Sequence, residues 1–256
     1  MDHTNNSCCC GEAEHFSGCL ICGAPITYRA ESSIQTCSIC HKEQLTNAVC
    51  ENSHFICDAC HSYGTYAPVI AALRDSTEKD ALLLLEKIMD LPSVHMHGPE
   101  HHAIVPCVLL TAFRNNGEHM DYDAALSEIC KRAKQVPGGT CGYWGVCGAA
   151  AGAGIFMSVM TGSSPLHKDA WPFPQKLVSI ILSRLADVGG PRCCKRTSRI
   201  AIEEAVHFYS QFCSVNIPLS SITCKYCEDN RECIQEDCPY SVSYTHLRAH
   251  ETAANL

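Results

Sequence analysis

Between residues 19 and 60 the chain carries four close pairs of soft or borderline ligands: Cys19 and Cys22, Cys37 and Cys40, Cys50 and His54, Cys57 and Cys60. A Cys-x-x-Cys pair places two sulfurs on one face of a tight knuckle, so two pairs complete a tetrahedral zinc shell and eight ligands make two sites. Spacing leaves the pairing open. Consecutive pairs would form a ribbon followed by a second finger, whereas the Cys50, His54, Cys57, Cys60 string resembles the middle of a cross-braced, RING-like module. Iron in a rubredoxin-like shell is the competing occupant. Few aliphatic residues separate the knuckles, so bound metal is expected to hold this segment together. His41 and His61 each follow a knuckle and are read as solvated, with substitution for a neighbouring ligand as the alternative. Cys8, Cys9 and Cys10 lie upstream in a polar tail.

Four further groups of residues are candidates for chemistry. In VHMHGPEHHAIVPC, His95, His97, Glu100, His101, His102 and Cys107 fall within thirteen residues. Gly98 and Pro99 make a turn that opens a helix, which puts Glu100 and the later histidines in its first turn. There the helix dipole favours neutral imidazole, able to ligate metal or act as a base. His97 and His101, with Glu100 as ligand or proton shuttle, form the candidate metal or acid/base site; helix capping by Glu100 is the alternative. In GGTCGYWGVCGAAAGAG, Cys141 and Cys147 bracket a glycine-rich turn, and Cys147 at a helix start is expected to be depressed in pKa. Packing glycines beside buried thiols would leave the same pattern. The vicinal Cys193 and Cys194 precede another helix, beside Arg192, Lys195 and Arg196, and are expected to be reactive, chelating or joined in a strained disulfide. Finally Cys224, Cys227, Cys233 and Cys238, the last followed by proline, have the spacing for one iron-sulfur cluster or one zinc.

These residues need elements to position them. Period-2 alternation is scarce and period-3.6 patterns are frequent, so the body reads as mainly α. Helices are expected from a Ser76 or Thr77 cap through Met89, and over 99–115 with Pro106 disturbing the second turn. Others fall at 122–134, 147–160, 174–186 and 197–212. The organisation that follows is a flexible tail over 1–17, a zinc module over 18–65, a helical bundle over 66–218 and a small Cys-cluster tail over 219–240. Residues 241–256 carry VSYTHLRAHET, which resembles a reading frame of a sequencing adapter and is read as non-native, so that His246 and His250 carry no meaning.

Composition bounds the function. Cysteine makes up 21 of 256 residues, far above ordinary usage in a chain that can bury a core without disulfides. The formal charge of −8 argues against a general nucleic-acid or anionic-membrane surface. The opening residues MDHTNNSCCCGEAEHF show neither a basic n-region nor an apolar run, and no window supplies a spanning run, so a soluble cytoplasmic protein is expected, where the odd cysteine number suits metal ligands or thiols.

The CLICG and CDACH knuckles, MHGPEHH, GYWGVCGAAAG and the closing cysteine run together resemble an uncharacterised family of cysteine-rich prokaryotic proteins, a domain of unknown function, over about residues 19 to 240. Some of its relatives are described as, or joined to, SAM-dependent methyltransferase or radical-SAM proteins. This chain has neither a Rossmann glycine loop after a strand nor a CxxxCxxC motif, which argues against methyltransferase activity by the chain alone. More distantly, CGAAAG with its flanking cysteines resembles the redox-active family named for its C-GCAxxG-C-C pattern. That resemblance implies Cys141, Cys147, Cys193 and Cys194 as the redox-active set.

Two functions are compatible with these readings. One is a metal-binding, redox- or thiol-active protein in which His97, Glu100, His101, Cys141, Cys147, Cys193 and Cys194 converge on one pocket. The other is a zinc-stabilised adaptor that docks a methyltransferase or radical-SAM partner through an exposed apolar surface. An enzyme and a binding protein are both compatible with these residues.

Overall fold

The computed structural model describes residues 18–212 and 215–242. The Cys8–Cys9–Cys10 run and the adapter-like histidines fall outside them. The first element is an antiparallel hairpin, β1 (Ile26–Thr36) and β2 (Glu43–Cys50), with Ile26 opposite Cys50, Thr36 opposite Glu43 and a bulge between Tyr28 and Ser33. The period-2 rule gives no sign of it because most of β1 faces solvent on both sides, so no alternation was selected. A single turn, α1 (Asp58–His61), closes the module.

The body is helical. α2 (Tyr66–Asp75) starts at the boundary expected near residues 63–68, where the sequence reading placed no helix. α3 (Ala81–Met89) is capped by Asp80, whose Oδ1 accepts from Leu82 N and Leu83 N at 2.9 Å, so the expected Ser76 or Thr77 cap is corrected by four residues or fewer. α4 (His101–Asn115) is buried on every side from His101 to Phe113 and packs against α2, α3, α5 and α7, and against α9. α5 (Tyr122–Ala133) buries Leu126, Ile129 and Ala133. The short α6 (Thr140–Tyr143) precedes α7 (Gly148–Met160), and α8 (Pro172–Val188) covers α7 and α9 (Cys194–Tyr209).

The two apolar helices α4 and α7 approach closely for a local reason. Pro106 has no N–H to offer the His102 carbonyl, and Gly152 backs onto that carbonyl, where an added Cβ would lie 2.5 Å from the oxygen. Phe113, Phe156 and Tyr209 then form an aromatic triangle with centroid separations of 5.4, 4.7 and 5.4 Å, locking α4, α7 and α9 together.

Residues 215–242 lie across this bundle as a strap. Ser220 N donates to Asp80 Oδ2 at 2.6 Å, Tyr226 Oη to Asp90 Oδ1 at 2.6 Å and Tyr240 Oη to Glu203 Oε1 at 2.9 Å. The rings of Tyr226 and Tyr240 flank Arg199, which makes a two-pronged bond to Glu86 at 2.7 and 2.8 Å. Among the described residues no helix is long and apolar enough to cross a membrane.

Candidate metal centres and the cavity beside them

The eight module ligands gather into two groups: Cys19, Cys22, Cys50 and His54, and Cys37, Cys40, Cys57 and Cys60. First and third pairs meet, as do second and fourth, which is the interleaved alternative. Sulfur contacts across the pairs are 3.8 Å for Cys22–Cys50 and 3.8 Å for Cys40–Cys57. A tetrahedral shell with Zn–S near 2.3 Å has edges of about 3.8 Å, so the thiols stand at ligand spacing. Backbone folds the knuckles into place: Ser38 N reaches Phe55 O at 2.8 Å and Cys50 N reaches His54 O at 3.0 Å. Backbone N–H groups outweigh burial at Cys37 and hold its thiol down at about 6, whereas burial and neighbouring sulfurs push Cys60 up to about 12.

The module leans on the body through side chains. Gly138 N donates to Asp58 Oδ2 at 2.7 Å, Thr65 Oγ1 to Ser93 O at 2.6 Å, and the Arg192 guanidinium lies 5.2 Å from the Tyr28 ring centre. Between them lies a cavity of about 1040 Å³. His97, His101, Cys141, Cys147, Cys193 and Cys194 all line it, drawn from the 95–102 turn, α6, the start of α7 and the start of α9. Glu100 is fully buried behind this wall.

Burial disfavours charge on three of the cavity imidazoles. Burial lowers the pKa of His97, His101 and His102, so desolvation, and not the helix dipole invoked from sequence, is the leading cause. His101 Nδ1 faces Gly98 O at 3.3 Å, which fixes the proton there and leaves a buried Nε2 lone pair with no hydrogen bond. His97 Nε2 faces Asn230 Oδ1 at 3.0 Å and Glu232 Oε2 at 3.2 Å, so its buried Nδ1 is the free acceptor. His102, part of the candidate group but outside the His97–Glu100–His101 site, donates from Nδ1 to Val136 O at 3.0 Å, and its ring fills the space a Gly148 side chain would need.

The thiols correct the expected thiolates. Cys147 stands at the N-cap position of α7 without a side-chain cap bond and Cys193 caps α9 by accepting from Arg196 N, yet burial outweighs the helix N–H donors and raises both. Burial also pushes Cys194 up to about 12, with Arg192 and Gly98 N–H only partly offsetting it. Cys141 is exposed at the rim. Helix α9 begins at Cys194, three residues before the expected Thr197.

Cys224, Cys227, Cys233 and Cys238 are not brought to ligand distance as a group among the described residues. Cys238 is buried with Ile200 and Tyr240, and Cys224 N is held by Tyr240 O at 2.7 Å, so packing of the strap accounts for these two. Two arrangements escaped the sequence reading. Cys107 and Cys130 place their sulfurs 3.8 Å apart between α4 and α5. His61, read as solvated, instead stands 3.3 Å from Glu100 Oε2, while His95 Nδ1 stands 3.0 Å from Glu100 Oε1. Glu100 makes no side-chain cap, so the capping alternative does not hold. Burial alone would raise its carboxyl, but the two imidazoles hold it well below the usual range.

A model described as a family of unknown function (DUF5714) matches residues 69–241, which takes in most of the helical body and the strap and leaves the two-group module outside the match. No curated protein and no solved structure matches the chain.

Proposed function

The chain belongs to this family of unknown function over residues 69–241, and from its own geometry we propose that it is a metal-binding protein with a thiol-active cavity. Two zinc ions occupy the interleaved groups of the module in a cross-braced, RING-like order, and the cross-links they supply hold the hairpin and α1 to each other. The single observation that carries the reading is the shared cavity, whose lining includes sulfurs and imidazoles from separated segments.

In this reading Cys147 and Cys194 are the reacting sulfurs and Cys141 is their partner at the rim. Because burial keeps Cys147 and Cys194 protonated, a proton must leave either thiol before it attacks. Oxidation of two of these thiols forms one S–S bond and releases two protons and two electrons, which reduce an incoming disulfide to two thiols.

The test is redox titration of anaerobically purified protein in glutathione buffers, with disulfides assigned by mass mapping. One disulfide among Cys141, Cys147, Cys193 and Cys194, formed with the module zinc retained, is the expected result. Thiols that stay reduced across the whole range would overturn it. Visible absorbance of the same preparation tests for an iron-sulfur cluster at Cys224, Cys227, Cys233 and Cys238, and elemental analysis for zinc beyond the two module equivalents decides between a zinc ion and neither.

A second reading rests on a different observation. Ile34 and Leu45 are cross-strand partners on the hairpin yet are 66% and 67% exposed. With Ile39 also exposed, they give the module an uncovered apolar edge suited to an adaptor that docks a methyltransferase or radical-SAM partner. Unreactive cavity thiols would leave this reading in place.

A further inference from the structure

We propose that His61, His95 and Glu100 form a third metal centre, with an open coordination position, that takes a divalent first-row transition-metal ion and bridges the zinc module to the helical body. His61 ends α1 of the module, whereas His95 and Glu100 belong to the turn before α4. Their ligand atoms lie within 4.8 Å of one another. The nearest approaches, 3.3 Å for His61 Nδ1 to Glu100 Oε2 and 3.0 Å for His95 Nδ1 to Glu100 Oε1, match the edges of about 3.3 Å expected of a shell with ligands near 2.0–2.1 Å.

Three features separate this group from an ordinary buried ion pair. Glu100 is 0% exposed, so its negative charge is fully desolvated, a costly arrangement unless cations or good hydrogen bonds surround it. His61 Nδ1 and Glu100 Oε2 are both buried without a well-formed hydrogen bond, although they face each other. Gly98 lets the two groups close in on the backbone: a Cβ there would fall 2.1 Å from Glu100 Oε2 and 2.5 Å from His61 Cε1. Two imidazoles and one carboxylate are also the donor set of hydrolytic zinc and ferrous sites, which keep a position for water or substrate. The module groups, by contrast, have four protein ligands each and are closed. His61 and Gly98 line the large cavity, so the third ion would stand at its wall.

The centre is independent of the thiol chemistry above, and its test is separate. Protein carrying its two module zincs is titrated with cobalt(II) and read by visible absorption and by elemental analysis after gel filtration. The expected result is a third equivalent bound without sulfur-to-cobalt charge-transfer bands, its affinity falling at least about tenfold in His95→Ala and in Glu100→Gln. Failure of wild-type protein to bind a third equivalent overturns the proposal, whatever the variants do. So does a third equivalent that shows sulfur bands and disappears in Cys224→Ser, since that ion would sit on the strap cysteines.

Discussion

At Cys194 two opposing effects meet, the helix start and Arg192 favouring thiolate and burial favouring thiol, and burial wins. With the thiol at about 12 instead of the ordinary 9.0, the thiolate fraction rises about tenfold per pH unit throughout the accessible range. The alkylation rate of Cys194, followed by mass mapping, is therefore expected to climb without a plateau from pH 7 to pH 10; a plateau below pH 9 would contradict it. A second residue-scale outcome concerns Gly148. Glycine to alanine inside a helix ordinarily gains stability, but here the methyl would lie 2.1 Å from the His102 ring. Gly148→Ala is expected to cost at least about 1–3 kcal/mol by urea unfolding. At this scale the sequence was readable in ligand type and poor in environment. The four close pairs announced themselves through spacing alone. The His61–His95–Glu100 group did not, because its members come from two segments and each histidine had a solvated alternative that only burial excludes.

The elements were legible where periodicity was strong and caps were ordinary. The ranges of α4, α5, α7 and α8 follow from apolar spacing, proline and glycine to within about two residues. The hairpin was not legible, since its strands are fixed by knuckles at their ends and not by a buried face. This asymmetry gives a prediction: chelation of the module's metals should abolish the hairpin while far-UV circular dichroism keeps most of the helical signal of the body, because the aromatic triangle and the α4 core do not involve metal ligands. Concerted loss of all helicity with metal would contradict it. The strap is held differently, by polar bonds to Asp80, Asp90 and Glu203 and by tyrosine rings over Arg199, whose ion pair with Glu86 ties α9 to α3. Removing one partner strands a buried charge, so Glu86→Ala is expected to cost about 3–5 kcal/mol in urea unfolding.

At the scale of the whole molecule, the central feature is the joint between a small module carrying two four-ligand groups and a helical body with its own apolar core. Neither half alone encloses the cavity: module residues Tyr28, Asp58 and His61 form one side, and His101, Cys147 and Cys194 the other. A sequence can indicate that histidines and cysteines are numerous, but their convergence depends on how α4, α7 and α9 cross, which in turn depends on the close approach at Pro106 and Gly152. Nothing in residue spacing records that approach directly.

The most direct check is a cysteine alkylation map of the anaerobic protein, taken with metal bound and again after chelation. Cys19, Cys22, Cys37, Cys40, Cys50, Cys57 and Cys60 should be protected in the loaded state while Cys141 reacts at once. Chelation should expose all seven and, by loosening the joint, speed the labelling of Cys147 and Cys194. Equal labelling of the seven module cysteines with and without metal, or no change at Cys147 and Cys194, would contradict the account.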